Sequence, residues 1–276
     1  MAAIPTRPPI ADPIPPPTPI PAAQPTGDQI VVCYVIIAMS VVIFGFWNVP
    51  GVRNIINPLK LFTIGWHELC HISMAILTGG RILKVTIDPF IGGATIVEGG
   101  HPYIILSAGY IGSTLLGGIF ILAGFDTLVA KIMSFVLGVG LVMPLVLILD
   151  KLTILLTMFY EGLLIGFWFI DHAYVLRRTV EVKYFVHYVS HPLAHSALSI
   201  LFVIWDVADD RFFHKTNQSD ATQFNVLIPR VPAHIWACFW IIFSAGVLAG
   251  FVILGIAAFK RTPEEMMAEA ANFLPT

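Results

Sequence analysis

The stretch LKLFTIGWHELCHISMAILT, residues 59–78, decides the fold class because it is largely apolar yet carries two histidines and a glutamate at its centre. A helix needs about 20 residues to cross the roughly 30 Å of hydrocarbon in a bilayer, and this stretch has that length. The central residues form the pattern His-Glu-x-x-His, with His67, Glu68 and His71. Side chains four residues apart lie on one face of a helix, so both imidazoles point to one place. Because an unpaired ionisable group inside a membrane costs a few kcal/mol, the three together indicate a bound cation.

The composition extends this interpretation to the whole chain. Of its 276 residues, 57% are apolar and 12% are charged, whereas soluble domains carry about 25% charged residues. We therefore predict an all-α polytopic, multi-pass integral membrane protein with six or seven transmembrane helices. The predicted spans lie near 29–47, 59–78, 102–124, 128–149, 152–170, 193–208 and 235–259.

The charged residues exclude one class of partner and leave the topology open. The formal net charge is −2, so no basic surface for nucleic acid is expected. Lysines and arginines divide almost evenly between the two sides of the predicted bundle, so the positive-inside rule selects neither an orientation nor an organelle. The lipid bilayer is the partner that the composition predicts.

The chain divides into three segments by composition. Residues 1–27 are rich in proline and are expected to be extended and disordered. This segment is a passive linker or, as an alternative, a docking site for a proline-reading module. Residues 28–260 are predicted to form the membrane-embedded domain, and residues 261–276 a C-terminal tail.

The segment after the helix with the metal motif breaks the helical pattern. Residues 81–87 are β-branched and partly alternating, and residues 94–97 form a second run of this kind. Asp-Pro and Gly-Gly pairs, which favour turns, lie between the two runs. We predict a β-hairpin at the membrane surface.

Small residues recur every four positions in the next span, at Gly109, Ser113 and Gly117. This spacing lets two helix backbones approach closely in lipid, where apolar area alone gives no attraction between helices. We expect these residues to form a packing seam, with the helix that carries the metal motif as its neighbour.

The His-Glu-x-x-His residues suit a hydrolytic zinc site. Neutral imidazoles, here those of His67 and His71, bind Zn²⁺, and a catalytic zinc keeps one coordination position open for water. Glu68 stands beside the metal, where a carboxylate can take a proton from that water and later deliver it to a leaving amine. We predict Zn²⁺ as the cofactor and Glu68 as the catalytic residue.

The motif and the segments that follow it resemble a known family. The order looks like that of the site-2-protease family of intramembrane zinc metallopeptidases, and most like its short branch without a PDZ domain. The resemblance implies a zinc-dependent endopeptidase whose partner is a transmembrane or membrane-associated protein substrate, cleaved within or near the bilayer. It also implies that the hairpin presents an edge strand to an unwound substrate segment. The segments that carry the resemblance are 67–71, 77–80, 92–95, 107–112 and 219–221.

The resemblance also implies a third zinc ligand, and here the chain departs from the family. Its members usually take this ligand from the aspartate of a Leu-Asp-Gly motif, which the sequence lacks. Asp206, the deepest acid at the end of the predicted sixth span, is the expected substitute. Asp209, one turn further along, and Asp220 in a Ser-Asp-Ala run are the alternatives. The expected ligand set is His67, His71 and Asp206.

Two other functions remain open from the sequence. Because it lacks Leu-Asp-Gly, the chain could be a catalytically silent relative that binds membrane proteins. It could also be a metal-ion transporter that uses the same histidines, although no internal repeat is visible. Bound zinc without cleavage would favour the first alternative, and metal uptake into proteoliposomes would favour the second.

Overall fold

The computed structural model describes residues 24–46, 49–88, 92–142, 151–170, 202–211 and 219–260, together with positions 265, 268, 269 and 272. Most of the proline-rich segment, the first part of the predicted sixth span and most of the C-terminal tail lie outside these residues. Within them the protein is mostly helical with one β-hairpin, as predicted. The elements are α1 (Gly27–Phe46), α2 (Val52–Leu77), β1 (Arg81–Asp88), β2 (Gly92–Glu98), α3 (Pro102–Phe125), α4 (Thr127–Val142), α5 (Lys151–Ile170), α6 (Phe202–Arg211), α7 (Asp220–Leu227) and α8 (Ala233–Ala258).

Helix α2, which carries the metal motif, begins earlier than the sequence suggests. The prediction places its start after Pro58, whereas the helix runs from Val52 through Pro58 to Leu77. A proline inside a helix removes one backbone hydrogen bond. The residues that follow it are deeply buried, with Leu61 and Phe62 each 2% exposed. Burial of this apolar face offsets the lost bond and keeps the helix continuous.

The strands β1 and β2 confirm the predicted hairpin. They pair in antiparallel fashion, with Arg81 opposite Glu98 and Val85 opposite Thr95. Gly79 has a φ of 83° at the end of α2, a left-handed conformation that glycine adopts without strain. This turn sends the chain directly from α2 into β1, so the hairpin stays close to the helix with the metal motif.

Helix α3 packs along α2, which confirms the predicted small-residue seam. Trp66 donates its indole N–H to the carbonyl oxygen of Gly112 at 3.2 Å. A Cβ at Gly112 would overlap the side chain of Cys70, and a Cβ at Gly109 would overlap the imidazoles of α2. The two backbones can approach this closely because the seam residues are small. Cys70 therefore serves in packing between the two helices.

The outer surface exposes many large apolar side chains, among them Ile242 at 71% and Val41 at 66%. Exposed apolar surface on this scale needs lipid or another protein to cover it. Of the helices that the structure describes, α3 and α8 are long and apolar enough to cross a membrane, and the apolar stretches Gly27–Val42 and Leu128–Val142 are shorter. Six or seven spans thus remain a prediction.

A buried glutamine connects the start of α1 to the end of α8. Gln29 is 4% exposed, and its side-chain amide donates to the carbonyl oxygens of Ile256 at 3.3 Å and Phe259 at 2.5 Å. The ammonium group of Lys260 donates to the carbonyl oxygen of Gln24. The last carbonyls of a helix have no partner within it, so these bonds satisfy groups at the end of α8 and fix it beside the start of α1.

The short helices α6 and α7 join the bundle through a shared apolar cluster. The ring of Phe202, the first residue of α6, lies 4.4 Å from the ring of His67, measured between centroids. This packing brings the N-terminus of α7 close to the metal motif of α2. The buried members of the cluster are Ile64, Tyr110, Phe202, Val203, Phe224 and Trp240.

Candidate metal centre

Three side chains from two helices converge on one point. His67 and His71 lie one turn apart on α2, with their Nε2 atoms 3.0 Å from each other. Asp220, the first residue of α7, places Oδ2 3.0 Å from Nε2 of His67 and 3.2 Å from Nε2 of His71. Both histidines are buried and Asp220 is nearly so. The site therefore presents two imidazole nitrogens and one carboxylate oxygen to a common centre.

Hydrogen bonds on the far side of each ring orient the imidazoles. Nδ1 of His71 lies 2.7 Å from the carbonyl oxygen of Ile105. A carbonyl oxygen only accepts, so this Nδ1 carries a proton and donates it. Nδ1 of His67 lies 3.3 Å from Oγ of Ser113. Metal-binding histidines characteristically engage their outer nitrogen in this way, which leaves Nε2 for the metal.

The donor set fits a zinc ion. Lone pairs of two imidazoles and a carboxylate repel one another at about 3 Å, and a cation among them turns that repulsion into attraction. Zinc binds imidazole nitrogen at about 2.0–2.1 Å, and tetrahedral geometry then separates the ligand atoms by about 3.3 Å. The observed separations of 3.0, 3.0 and 3.2 Å are close to this value. Three protein ligands also leave a fourth position open, as a catalytic site requires.

Helix α3 accommodates both imidazoles because residue 109 is glycine. A Cβ at Gly109 would overlap Nε2 of His71 and Cε1 of His67. One turn along the same seam, Ser113 makes the contact with His67 described above. The small-residue seam therefore shapes the metal site as well as the helix packing.

Glu68 follows His67 on α2 and contacts the hairpin. It is 5% exposed, and its Oε2 accepts a hydrogen bond from the hydroxyl of Thr95 at 2.6 Å. A Cβ at Gly93 would lie 2.7 Å from Cδ of Glu68, too close for any residue other than glycine. Gly93 and Thr95 are two apart on β2 and so face the same side of the hairpin. Strand β2 thus covers this carboxylate and orients it beside the two histidines.

Asp206, the expected third ligand, lies outside the group of converging ligand atoms. Its Oδ2 accepts a hydrogen bond from the hydroxyl of Tyr110 at 2.6 Å and another from the backbone N–H of Asp220 at 3.3 Å. The alternative Asp220 occupies the position between the histidines. The side chain of Asp209 lies outside the described residues. Geometry therefore favours Asp220 over Asp206 as the third ligand, because Asp220 points at the imidazoles and Asp206 at a tyrosine and a helix N-terminus.

Residue pattern alone does not single out two further contributors to the site. Tyr110 contacts the ring of His67 at a centroid distance of 5.5 Å, and Thr95 binds Glu68. A tyrosine in an apolar span and a threonine in a strand are common, so neither attracts attention by type or spacing. Both lie in segments that carry the family resemblance, 107–112 and 92–95, and this is the signal that could have identified them.

Residues 36–251 of the chain match the protein family described as Peptidase M50B-like. The matched range contains α2 with its metal motif, the hairpin, α3 and the aspartate at the start of α7. No curated protein and no solved structure matches the chain. The family assignment thus covers every element that builds the candidate metal centre.

Proposed function

Because the chain belongs to the Peptidase M50B-like family, the membrane-embedded family of the site-2 proteases, we propose that it is a zinc-dependent membrane endopeptidase. Its substrates are transmembrane or membrane-associated proteins, cleaved within or near the bilayer. The observation that carries this proposal is the convergence of His67, His71 and Asp220 on one point, directly beside Glu68. The ligand set we propose is these two histidines with Asp220.

Each residue of the site has a separate task in this proposal. A zinc ion at the three ligands supplies a Lewis acid that polarises a carbonyl group and activates water at neutral pH. Glu68 takes the proton of the attacking water and delivers it to the nitrogen of the leaving amine. Thr95 and Gly93 keep the Glu68 carboxylate in place during both transfers. Ile105 and Ser113 hold the outer nitrogens of the imidazoles.

The position of the hairpin supports a way of binding substrate. A helical peptide shields its own peptide bonds, whereas an extended segment can add to the edge of a sheet through main-chain hydrogen bonds. Strand β2 carries Gly93 and Thr95 against Glu68, so a segment aligned with the hairpin would pass close to the catalytic carboxylate. We propose that the hairpin unwinds a substrate segment and presents it to the site in this way.

The first test of the function is the zinc content of protein purified in detergent. We expect about one zinc per chain in the wild type and little in His71→Ala, because two remaining ligands hold zinc poorly. His101→Ala is the matched control, since this histidine is exposed just before α3 and should not change the zinc content. Folded wild-type protein that takes up no zinc when offered it would remove the basis for hydrolysis.

Thr95→Val is expected to lower the cleavage rate by about 10- to 100-fold, because a hydrogen bond to a charged group contributes about 1.5–3 kcal/mol. Valine keeps the shape of threonine and removes only the donor to Glu68. Zinc content should remain that of the wild type, and Thr95→Ser should restore most of the rate. Thr86→Val, on the paired strand β1, is the control. Equal rates for Thr95→Val and Thr86→Val would show that the hydroxyl has no part in orienting Glu68.

A further inference from the structure

Side chains satisfy the backbone N–H groups at the start of α7. The N–H of Asp220 donates to Oδ2 of Asp206 at 3.3 Å, and the N–H of Ala221 donates to the hydroxyl of Tyr110 at 3.2 Å. The N–H of Thr222 donates to Oγ of Ser219, the residue that caps the helix, at 3.3 Å. The first N–H groups of a helix have no partner within it, so these side chains fix where α7 begins.

Two of these partners are also bonded to each other. The hydroxyl of Tyr110 donates to Oδ2 of Asp206 at 2.6 Å while it accepts from Ala221. Tyr110 is fully buried and Asp206 is 7% exposed. A carboxylate in such a place is costly unless hydrogen bonds and the positive end of a helix stabilise it, and here it has both. Asp206 and Tyr110 thus form one unit that connects α6 and α3 to the first turn of α7.

The residue held by this unit is the one that faces the imidazoles. Asp220 gives its N–H to Asp206 and directs Oδ2 to His67 and His71. The two histidines are fixed on α2 by bonds to α3, but Asp220 lies on a separate helix of eight residues. Its distance from the imidazoles therefore depends on what anchors the start of that helix.

We propose that Asp206 and Tyr110 are positioning residues that set the metal affinity of the site by fixing the backbone of Asp220. This inference rests on the proposed zinc site. Neither side chain binds the metal in this arrangement. Each acts through Asp220, and losing either lets the start of α7 move away from the histidines. The acid expected from the sequence to bind zinc thus has a different task, one bond removed from the metal.

Tyr110→Phe separates this role from direct ligation by Asp206. Phenylalanine keeps the ring that packs on His67 and Trp240 and removes only the hydroxyl that bridges Asp206 and Ala221. Partners in the outer shell of a metal site typically contribute about 10- to 100-fold in affinity, and we expect a loss in that range. Were Asp206 itself a ligand, removal of the hydroxyl would leave its carboxylate available to zinc, and Asp220→Ala would keep the metal.

Ser244→Ala is the matched control. Ser244 is 2% exposed and its hydroxyl lies 3.1 Å from that of Thr114, so it joins α8 to α3 as Tyr110 joins α7 to α3. This variant loses a buried hydrogen bond between helices with no connection to Asp220. Any general loosening of the bundle should affect both variants, whereas a change of zinc affinity should affect Tyr110→Phe alone.

The experiment is a competition for zinc between the full chain in detergent and a chromophoric chelator, with wild type, Tyr110→Phe, Asp206→Asn and Ser244→Ala. We expect weaker binding for Tyr110→Phe and Asp206→Asn, wild-type binding for Ser244→Ala, and an altered visible spectrum of the Co²⁺-substituted protein for the first two only. Wild-type zinc affinity in Tyr110→Phe, or equal losses in Tyr110→Phe and Ser244→Ala, would overturn the positioning role and leave the proposed function standing. A wild type that binds no zinc would overturn both.

Discussion

Glu68→Gln is expected to lower the rate of peptide cleavage by about 10²- to 10⁴-fold, the range that general acid–base catalysis contributes, with zinc content near that of the wild type. Glutamine has almost the size of glutamate, and its amide oxygen can still accept the hydrogen bond from Thr95. It cannot take a proton from water at neutral pH. The rate is measured in proteoliposomes on fluorogenic peptides that cross the bilayer once, and zinc is measured on the same samples.

Glu98→Gln provides the control for this comparison. Glu98 is exposed at the end of β2, opposite Arg81 in the hairpin, so its amide variant should cleave as fast as the wild type. Retained proteolysis in Glu68→Gln would rule out the assigned role of the carboxylate. Loss of zinc together with activity would instead show that Glu68 holds the metal.

Gly109→Ala is expected to weaken zinc binding by at least about 100-fold, at the upper end of what outer-shell changes produce, and to abolish cleavage with it. An alanine Cβ would overlap the imidazoles of His67 and His71 on the facing helix, so at least one of them must leave its position. Alanine favours a helix over glycine by about 1 kcal/mol, so a loss of function would arise from the contact with α2 and not from unwinding of α3. Zinc titration and the cleavage assay check the two effects.

The same substitution at an open position separates the local contact from any general effect. Gly246 lies on α8, and a Cβ there meets nothing within 4 Å. Gly246→Ala should therefore bind zinc and cleave like the wild type. Full zinc affinity in Gly109→Ala would contradict the close approach of α3 to the metal motif and, with it, the way the seam shapes the site.

Much of the fold follows from local patterns in the sequence. The apolar run around the metal motif predicts α2, the β-branched runs with turn signals predict the hairpin, and the small residues of α3 predict its packing on α2. Each of these signals depends on residues close in the chain, whose spacing reports directly on one face of one element. The start of α2 was harder to place, because Pro58 suggests a helix boundary and the burial of Leu61 and Phe62 outweighs that suggestion.

The third ligand was not predictable in the same way. Depth within an apolar span favoured Asp206, since an intramembrane acid needs a partner. The reasoning was sound about the need for a partner, but the partners are Tyr110 and the start of α7. Asp220 reaches the histidines across more than a hundred residues of chain, and only the packing of α7 beside α2 brings them together. No periodicity within a single element encodes such a contact.

The bond between Gln29 and the last turn of α8 has a consequence for membrane topology. The chain enters α1 and leaves α8 at the same level of the bundle, so positions 24 and 260 face the same aqueous compartment. A polypeptide that returns to its starting side crosses a bilayer an even number of times, which favours six crossings over seven. Reporter groups attached at the two ends should therefore respond alike to a membrane-impermeant reagent, and any partner of the proline-rich segment would share a compartment with the C-terminal tail.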